Sequence, residues 1–448
     1  MPGLRFRPNS VLPCATIAVF RTGEMFKMLH QPLLSLALVC AFLTLAAVLV
    51  VWRKPDLRGV TAVFFFSALV YAASAAPAFT DQSWAPHYVY LADAFSRGRI
   101  VLEEEPPNPK ENDWTYYDGK WMVSFPPAPA LLMTPIALIA GTDINDVLFT
   151  LLFAALNVTL FYNLIPLVGK WLRNGFETHP AARLGLTLAF GFGTVHWWLA
   201  CFGQVWFTAQ ILAATFMLLA LQETLGRARP ALAGLWLALS ALSRPPVLLA
   251  APVFVWLLAD RNSFRKLLRF LIPLATAGVL MGWYNLARFG SPFELGYRYM
   301  VLEELLADIV KETGSFNISY LRTNFYHAFL NLPELQARWP FVVMDGWGLS
   351  ILISTPLLFA LVKVPLREKL VQAVLIGALL VAVPSMLYYN TGYLQAGYRY
   401  ALDFLPLLFI ALAAALRGRF NTAAWVLALL SILMGLLSLA NFYLLMLE

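Results

Sequence analysis

Long apolar blocks recur along the whole chain, separated by short polar connectors. They run over 31–52, 59–78, 128–141, 147–167, 183–200, 204–223, 231–243, 246–259, 270–287, 341–362, 370–389, 400–416 and 421–446. Many approach the ~20 residues that a helix needs to cross roughly 30 Å of hydrocarbon. In lipid each such segment must satisfy its own backbone N–H and C=O groups, which predicts helices. The alternating ten-residue pattern of a membrane barrel is absent. The expected fold class is therefore all-α: a polytopic transmembrane helical bundle of about 11–13 spans, with interfacial helices in its external loops. A single domain is expected over 31–448, after an N-terminal segment 1–30.

The connectors give the bundle a direction. Basic residues gather at Arg53/Lys54/Arg58, Lys170/Arg173/Arg183, Arg227/Arg229, Arg261/Arg265/Lys266/Arg269, Lys363/Arg367/Lys369 and Arg417/Arg419. The positive-inside rule puts these in the cytoplasm of a bacterial inner-membrane protein, and leaves loops 79–127, 200–204, 243–246, 288–340 and 390–399 outside. Loop 79–127 fits, with eight acidic residues against four basic ones. Segment 128–167 does not, since it holds two apolar blocks where this topology needs an odd number. One of them is re-entrant, short or misread. The basic N-terminus also falls outside, which counts against the first span or against Met1 as the start. Met25 and Met28 are alternative starts, and the first thirty residues lack the small-residue cleavage site that a signal peptide would need.

Composition narrows the function classes. With 60% hydrophobic and 13% charged residues and a mean hydropathy of +0.69, the chain has too little polar surface to coat a soluble globule. The net charge of +7 belongs to short loops between spans, so it marks topology and not a nucleic-acid partner. Cys14, Cys40 and Cys201 are scattered, without CxxC or His/Cys spacing, which leaves neither a disulfide framework nor a zinc site. There is no P-loop, no GxGxxG after a strand and no HExxH. Asn157-Val158-Thr159 and Asn317-Ile318-Ser319 match the glycosylation acceptor pattern, but the first lies inside an apolar block.

Chemistry concentrates in the external loops. The first begins Thr80-Asp81-Gln82-Ser83-Trp84-Ala85-Pro86-His87-Tyr88, which puts a carboxylate where a helix meets water. Tyr88, Leu91, Ala92 and Phe95 then share one helical face and predict a surface helix ended by Gly98. Glu103-Glu104-Glu105 reads as a solvated charge run. The turn Asp118-Gly119-Lys120-Trp121 leads to Pro126-Pro127, where the chain returns to the bilayer; paired prolines suit a first helical turn. Arg244, in Ser243-Arg244-Pro245-Pro246, stands between two apolar blocks of only about a dozen residues each, and a cation at membrane depth must reach water, a carboxylate or a phosphate. Arg399 and Asp403 have the spacing of a helical ion pair. Gly296-Tyr297-Arg298-Tyr299 repeats the tetrapeptide Gly397-Tyr398-Arg399-Tyr400. In loop 288–340, Leu302, Leu305, Leu306 and Ile309 mark an amphipathic segment before Gly314-Ser315.

The order of features, from helix and boundary carboxylate through surface helix and Gly-Lys turn to Pro-Pro and helix, resembles the GT-C superfamily of membrane glycosyltransferases. It is closest in pattern to the bacterial protein O-mannosyltransferase-like and aminoarabinose transferase-like group, glycosyltransferase family 39-like. Trp283-Tyr284-Asn285-Leu286-Ala287-Arg288-Phe289-Gly290-Ser291-Pro292 and Gly397-Tyr398-Arg399-Tyr400-Ala401-Leu402-Asp403 are similar to stretches of that group. The resemblance implies transfer of a sugar from a polyprenyl-phosphate donor, with inversion, to a lipid, glycan or protein acceptor at the outer face of the membrane. It implies Asp81 as the base that takes the acceptor's proton, and cations for the departing phosphate. Arg399 with Tyr398 and Tyr400 would grip that phosphate, unless Arg399 merely neutralises Asp403. Lys120 would pair with the phosphate or else snorkel, and His87 would bind acceptor or stand as a polar tip. Arg298 would add a second aromatic-flanked cation on the same side. The chain departs from the family in carrying Asp-Gln where many members have a second acid; that acid comes from elsewhere, with Asp93 and Glu103 as candidates, or is unnecessary, so a divalent metal is doubtful and no cofactor is firmly expected. A multi-pass transporter or lipid-carrier flippase, or a non-catalytic relative, is the competing reading, although no inverted repeat is evident.

Overall fold

A computed structural model describes residues 58–76, 78–110, 112–259, 263–337, 342–392 and 395–447. Segment 1–30 and the expected span 31–52 lie outside the described residues. The rest is an all-α multi-pass membrane bundle. Its helices are α1 (Arg58–Ser74), α2 (His87–Ser96), α3 (Ala128–Ala140), α4 (Asp146–Trp171), α5 (Pro180–Phe192), α6 (Val195–Ala200), α7 (Val205–Gln222), α8 (Pro230–Ala241), α9 (Ala251–Leu258), α10 (Ser263–Phe289), α11 (Glu304–Thr313), α12 (Lys369–Met386), α13 (Leu405–Leu416) and α14 (Thr422–Leu447). Among the described residues, five segments are long and apolar enough to cross a membrane: Asp146–Trp171, Val205–Arg227, Phe264–Phe289, Lys369–Met386 and Thr422–Tyr443.

Helix α7 is the axis. The apolar stretch at Val205–Arg227 is 83% buried inside the bundle, against 11% for that at Phe264–Phe289, so α7 is enclosed by protein while α10 lies at its periphery. Because lipid tails are as apolar as leucine, close packing rather than hydrophobic burial holds such helices together. Gly234 shows how: a Cβ there would collide with the backbone of Phe270, so only glycine lets α8 and α10 approach this closely. Helices α4 and α8 pack along α7, and α1 along α4.

The break between α5 and α6 at Gly193-Thr194 leaves backbone groups that polar side chains satisfy. The Tyr71 hydroxyl donates to Gly191 O at 2.9 Å and lies 3.0 Å from His196 Nδ1. His196 Nε2 in turn lies 3.2 Å from Asn157 Nδ2, and Thr215 donates to Asn157 Oδ1 at 2.6 Å. Asn157, the first residue of a glycosylation-like pattern, is thus fully buried structural glue.

The two ends of the bundle differ. At one, basic connectors meet: the Arg173 N–H donates to Glu368 Oε2 at 3.1 Å, Arg417 Nη2 to Asn174 O at 3.3 Å, and the His179 N–H to Gly418 O at 2.9 Å. At the other lie the acidic loops. The parity conflict at 128–167 is resolved there. Helix α3 is 13 residues long, about 20 Å, short of the hydrocarbon thickness. Its first N–H bonds Leu242 O, next to Arg244, and the turn after it is held by Gln82, whose amide donates to Thr142 O and Ile144 O. Both ends of α3 therefore sit at the acidic-loop end, and α3 lies against α2 as an interfacial hairpin.

The expected span 341–362 also needs correction. It is a strand residue pair Val342–Val343, a turn, the single helical turn Ile351–Ser354 and a 3₁₀ stretch Pro356–Lys363. Asp345, Gly346, Gly348 and Pro356 break it, Gly348 with φ +134.

Candidate functional site

The site is assembled by the first acidic loop folding back onto the N-terminal end of α7. In the segment Asn112 to Thr115, three side chains are nailed into the core. Asn112 Nδ2 donates to Trp84 O at 3.2 Å. Trp114 stacks on His87 with ring centroids 3.7 Å apart and donates its indole N–H to Pro107 O at 3.1 Å. The Thr115 and Ser124 hydroxyls share a hydrogen bond of 2.5 Å. Asn112, Trp114 and Thr115 are buried, and Asp113 between them is half-buried and turns the other way. Its backbone is left-handed, φ +59, a conformation that Asp tolerates better than most residues.

Asp113 meets Trp206, near the start of α7. The indole Nε1–H donates to Asp113 Oδ2 at 2.9 Å. Burial pushes the Asp113 carboxyl up from 3.8 to about 6, against the pull of the Trp206 hydrogen bond and the positive charge of Arg399.

Arg399 shares Trp206 with Asp113. Its guanidinium carbon lies 5.8 Å from the Trp206 ring centroid, 5.5 Å from Phe207 and 5.3 Å from Tyr400. The residue is 7% exposed, and its Nε has no hydrogen-bond partner. Its backbone is fixed from both sides, the N–H donating to Gln395 Oε1 and the C=O accepting from Gln210 Nε2, both at 2.8 Å. Gly392, with φ +106, makes room for it: a Cβ there would lie 2.7 Å from Arg399 Nε. Among the described residues no carboxylate forms an ion pair with Arg399. The cation is thus held among aromatic rings rather than by an acid, an arrangement that can meet an anionic group.

The alternative in which Arg399 neutralises Asp403 is not realised: the two do not pair. The reason is local geometry. Residues Arg399–Asp403 form a 3₁₀ helix, in which positions four apart are about 120° apart around the axis and face different ways. Asp403 instead accepts from Arg244, with Nη2 to Oδ2 at 2.8 Å and Nε 3.3 Å from both oxygens. The Arg244 guanidinium also lies 5.4 Å from the Tyr400 ring. This satisfies the intramembrane cation that the sequence flagged. Removing one partner is expected to destabilise the fold by about 3–5 kcal/mol, as with other buried pairs, whereas Arg244→Met with Asp403→Leu costs much less. Melting temperatures of Asp403→Asn and the double variant check this; equal losses would place the pair's value elsewhere.

The remaining predicted site residues fall in different surroundings. Asp81 is exposed just after α1, its N–H bonded to Ala78 O, and no described side chain pairs with its carboxylate. His87 is completely buried; its Nε2 donates to Asn112 O at 2.8 Å, and burial lowers its pKa to about 4, so it is a neutral strut beneath Asp113. Lys120 stands exposed on the hairpin formed by Thr115–Tyr117 and Lys120–Met122, whose Asp118-Gly119 turn has positive φ at both positions. Arg298 points into solvent, paired with Glu294 at 2.7 Å. Tyr398 is fully buried, its hydroxyl 3.4 Å from Ser385 O, so of the Tyr398/Tyr400 pair it is Tyr400 that flanks the two arginines. Asp93 pairs with Arg97 at 3.1 Å, and Glu103 with Arg97 and Arg99 at 3.1 and 2.5 Å. No group of three or more His, Cys, Asp or Glu side chains suited to a metal lies among the described residues. The Arg288 of the Trp283–Pro292 stretch donates to Val123 O at 2.7 Å and stacks on Tyr284, tying α10 to the loop.

No protein-family model matches the chain, and no curated protein matches it. Among solved structures it is similar to that of ArnT from Cupriavidus metallidurans bound to undecaprenyl phosphate, with a TM-score of 0.46 and 15% identity over 83% of this chain and 62% of that one. It is also similar to the apo oligosaccharyltransferase of Archaeoglobus fulgidus, with a TM-score of 0.42 and 14% identity over 86% of this chain and 56% of that one. The chain thus spans less than two thirds of the length of either.

Proposed function

We propose that this protein is a membrane glycosyltransferase of the GT-C type, which transfers a sugar from a polyprenyl-phosphate donor to an acceptor hydroxyl at the acidic-loop end of the bundle. The observation that carries the reading is the buried, unpaired Arg399 beside the half-buried Asp113, joined through Trp206. The two groups divide the chemistry. The acceptor oxygen attacks the anomeric carbon as its proton passes to the Asp113 carboxylate, and the bond from that carbon to the phosphate oxygen breaks. The electron pair stays on the phosphate, where Arg399 meets the growing charge, and attack opposite the leaving group inverts the anomeric centre.

Asp113 suits the base better than an ordinary carboxylate does. A base with a pKa near 6 is ionised at neutral pH yet holds a proton more tightly than one at 3.8. Asp81, to which the family resemblance gives this role, is the second candidate and is separated from Asp113 by experiment. Purified protein in lipid nanodiscs is supplied with radiolabelled polyprenyl-phosphate sugars and a membrane extract as acceptor source. The reading expects transfer that Asp113→Asn and Arg399→Gln abolish. Transfer lost in Asp81→Asn but intact in Asp113→Asn would return the base to Asp81. Solute uptake into sealed vesicles without any transfer would overturn the enzyme reading.

A further inference from the structure

We infer that the acceptor is a saccharide, whose ring packs on the face of Trp84 while one of its hydroxyls meets Asp113; the inference rests on the glycosyl-transfer reading above. Trp84 is 49% exposed although it adjoins the reacting groups: its ring centroid is 5.4 Å from that of Trp206, which holds Asp113. Its backbone carbonyl accepts from Asn112, the residue before Asp113. Its indole N–H points at the Gln204 amide oxygen, 2.9 Å away when that amide is oriented so that its nitrogen donates to Phe202 O.

The backbone is held by Asn112, and the ring by its indole N–H and by the tilted Trp206 ring. A tryptophan that only marks the membrane boundary needs no such clamps, because its amphipathic ring is stable there in many orientations. A held, half-exposed indole packed against the tryptophan that binds Asp113 can act as a platform. A pyranose presents a flat patch of C–H groups on one face and hydroxyls around its rim. The patch gains contact and dispersion against an indole, and the rim delivers a hydroxyl sideways to Asp113 Oδ1, the oxygen that Trp206 leaves free. A serine or threonine side chain has no comparable face, so a protein acceptor would leave Trp84 uncovered.

Binding is tested apart from turnover. Saturation-transfer NMR on the full chain in detergent uses methyl α-glucopyranoside, N,N′-diacetylchitobiose and a Ser/Thr-rich peptide as probes. Saccharide C–H protons are expected to receive saturation, Trp84→Ala to weaken apparent affinity about tenfold, and Trp84→Phe to retain most of it. Unchanged melting of both variants shows that the fold is intact. The inference is overturned if the saccharides do not bind, if Trp84→Ala binds them as well as the parent does, or if the peptide alone binds. Saccharide binding through Trp84 with no transfer from any polyprenyl-phosphate sugar would sink the transferase reading instead. Transfer to the peptide would preserve the transferase and sink the saccharide acceptor.

Discussion

Arg399→Gln is expected to reduce sugar transfer by about 100- to 1,000-fold, the range seen when one preorganised donor to a developing anion is removed. Stability should move the other way. A buried cation with no partnered carboxylate costs several kcal/mol in the empty protein, offset in part by the Trp206, Phe207 and Tyr400 rings and by the Asp113 charge. Glutamine is uncharged and, though two atoms shorter, keeps the stem and a polar tip, so the variant's melting temperature should equal or exceed that of the parent. Arg399→Lys should rescue poorly, because a point charge on a flexible stem does not reproduce a planar fork held against aromatic faces. Lower stability with intact transfer would identify Arg399 as a structural cation and remove it from the donor site. Titration with undecaprenyl phosphate, followed by thermal shift, separates the two: the parent should be stabilised and the Gln variant not.

Asp113→Asn should be the second severe lesion, costing about 100- to 10,000-fold, the usual worth of general base catalysis. The pH profile makes the assignment specific. The carboxyl is raised to about 6, and only its ionised form can take a proton. Activity should therefore rise from pH 5 to 7 with a midpoint near 6. Trp206→Phe removes the hydrogen bond that favours the ionised form, so the midpoint should move up. The stability linkage has the opposite sense. A carboxyl whose folded pKa lies above its unfolded value favours the fold when protonated, so its contribution is fully present below the unfolded pKa and is lost as pH rises through about 6. In Asp113→Asn that part of the pH dependence of melting should vanish. A profile centred near 4, unmoved by Trp206→Phe, would assign the base elsewhere, with Asp81 the next residue to replace.

The site was only partly legible in the chain. Arg244 stood out because a cation next to apolar blocks is costly, a rule that needs no structure, and Arg399 through the resemblance of its Gly-Tyr-Arg-Tyr stretch to a known family. Asp113 did not stand out. It is one of eight acids in its loop, and what distinguishes it is a hydrogen bond to Trp206, 93 residues away. His87 had the right residue type for a functional role, but the Trp114 ring stacked on it and its full burial make it a strut. Nothing local singles out Trp84; its contacts to Gln204 and Asn112 come from distant parts of the chain.

Composition and apolar periodicity by themselves determined that the chain is an all-α multi-pass bundle, and basic connectors determined which loops share an end. Both follow from local rules, since each helix must satisfy its own backbone in lipid and each short loop carries its own charge. Tertiary structure decided what local rules cannot see. It laid Ala128–Ala140 along the interface instead of across the membrane, because contacts to Gln82 and Leu242 pin both of its ends to one side. It turned Arg399–Asp403 into a 3₁₀ turn, which sent Asp403 to Arg244 and left the Arg399 Nε without a hydrogen-bond partner. Partner choice among charges depends on which way a side chain points, and that direction is set by backbone geometry and by neighbours distant in sequence.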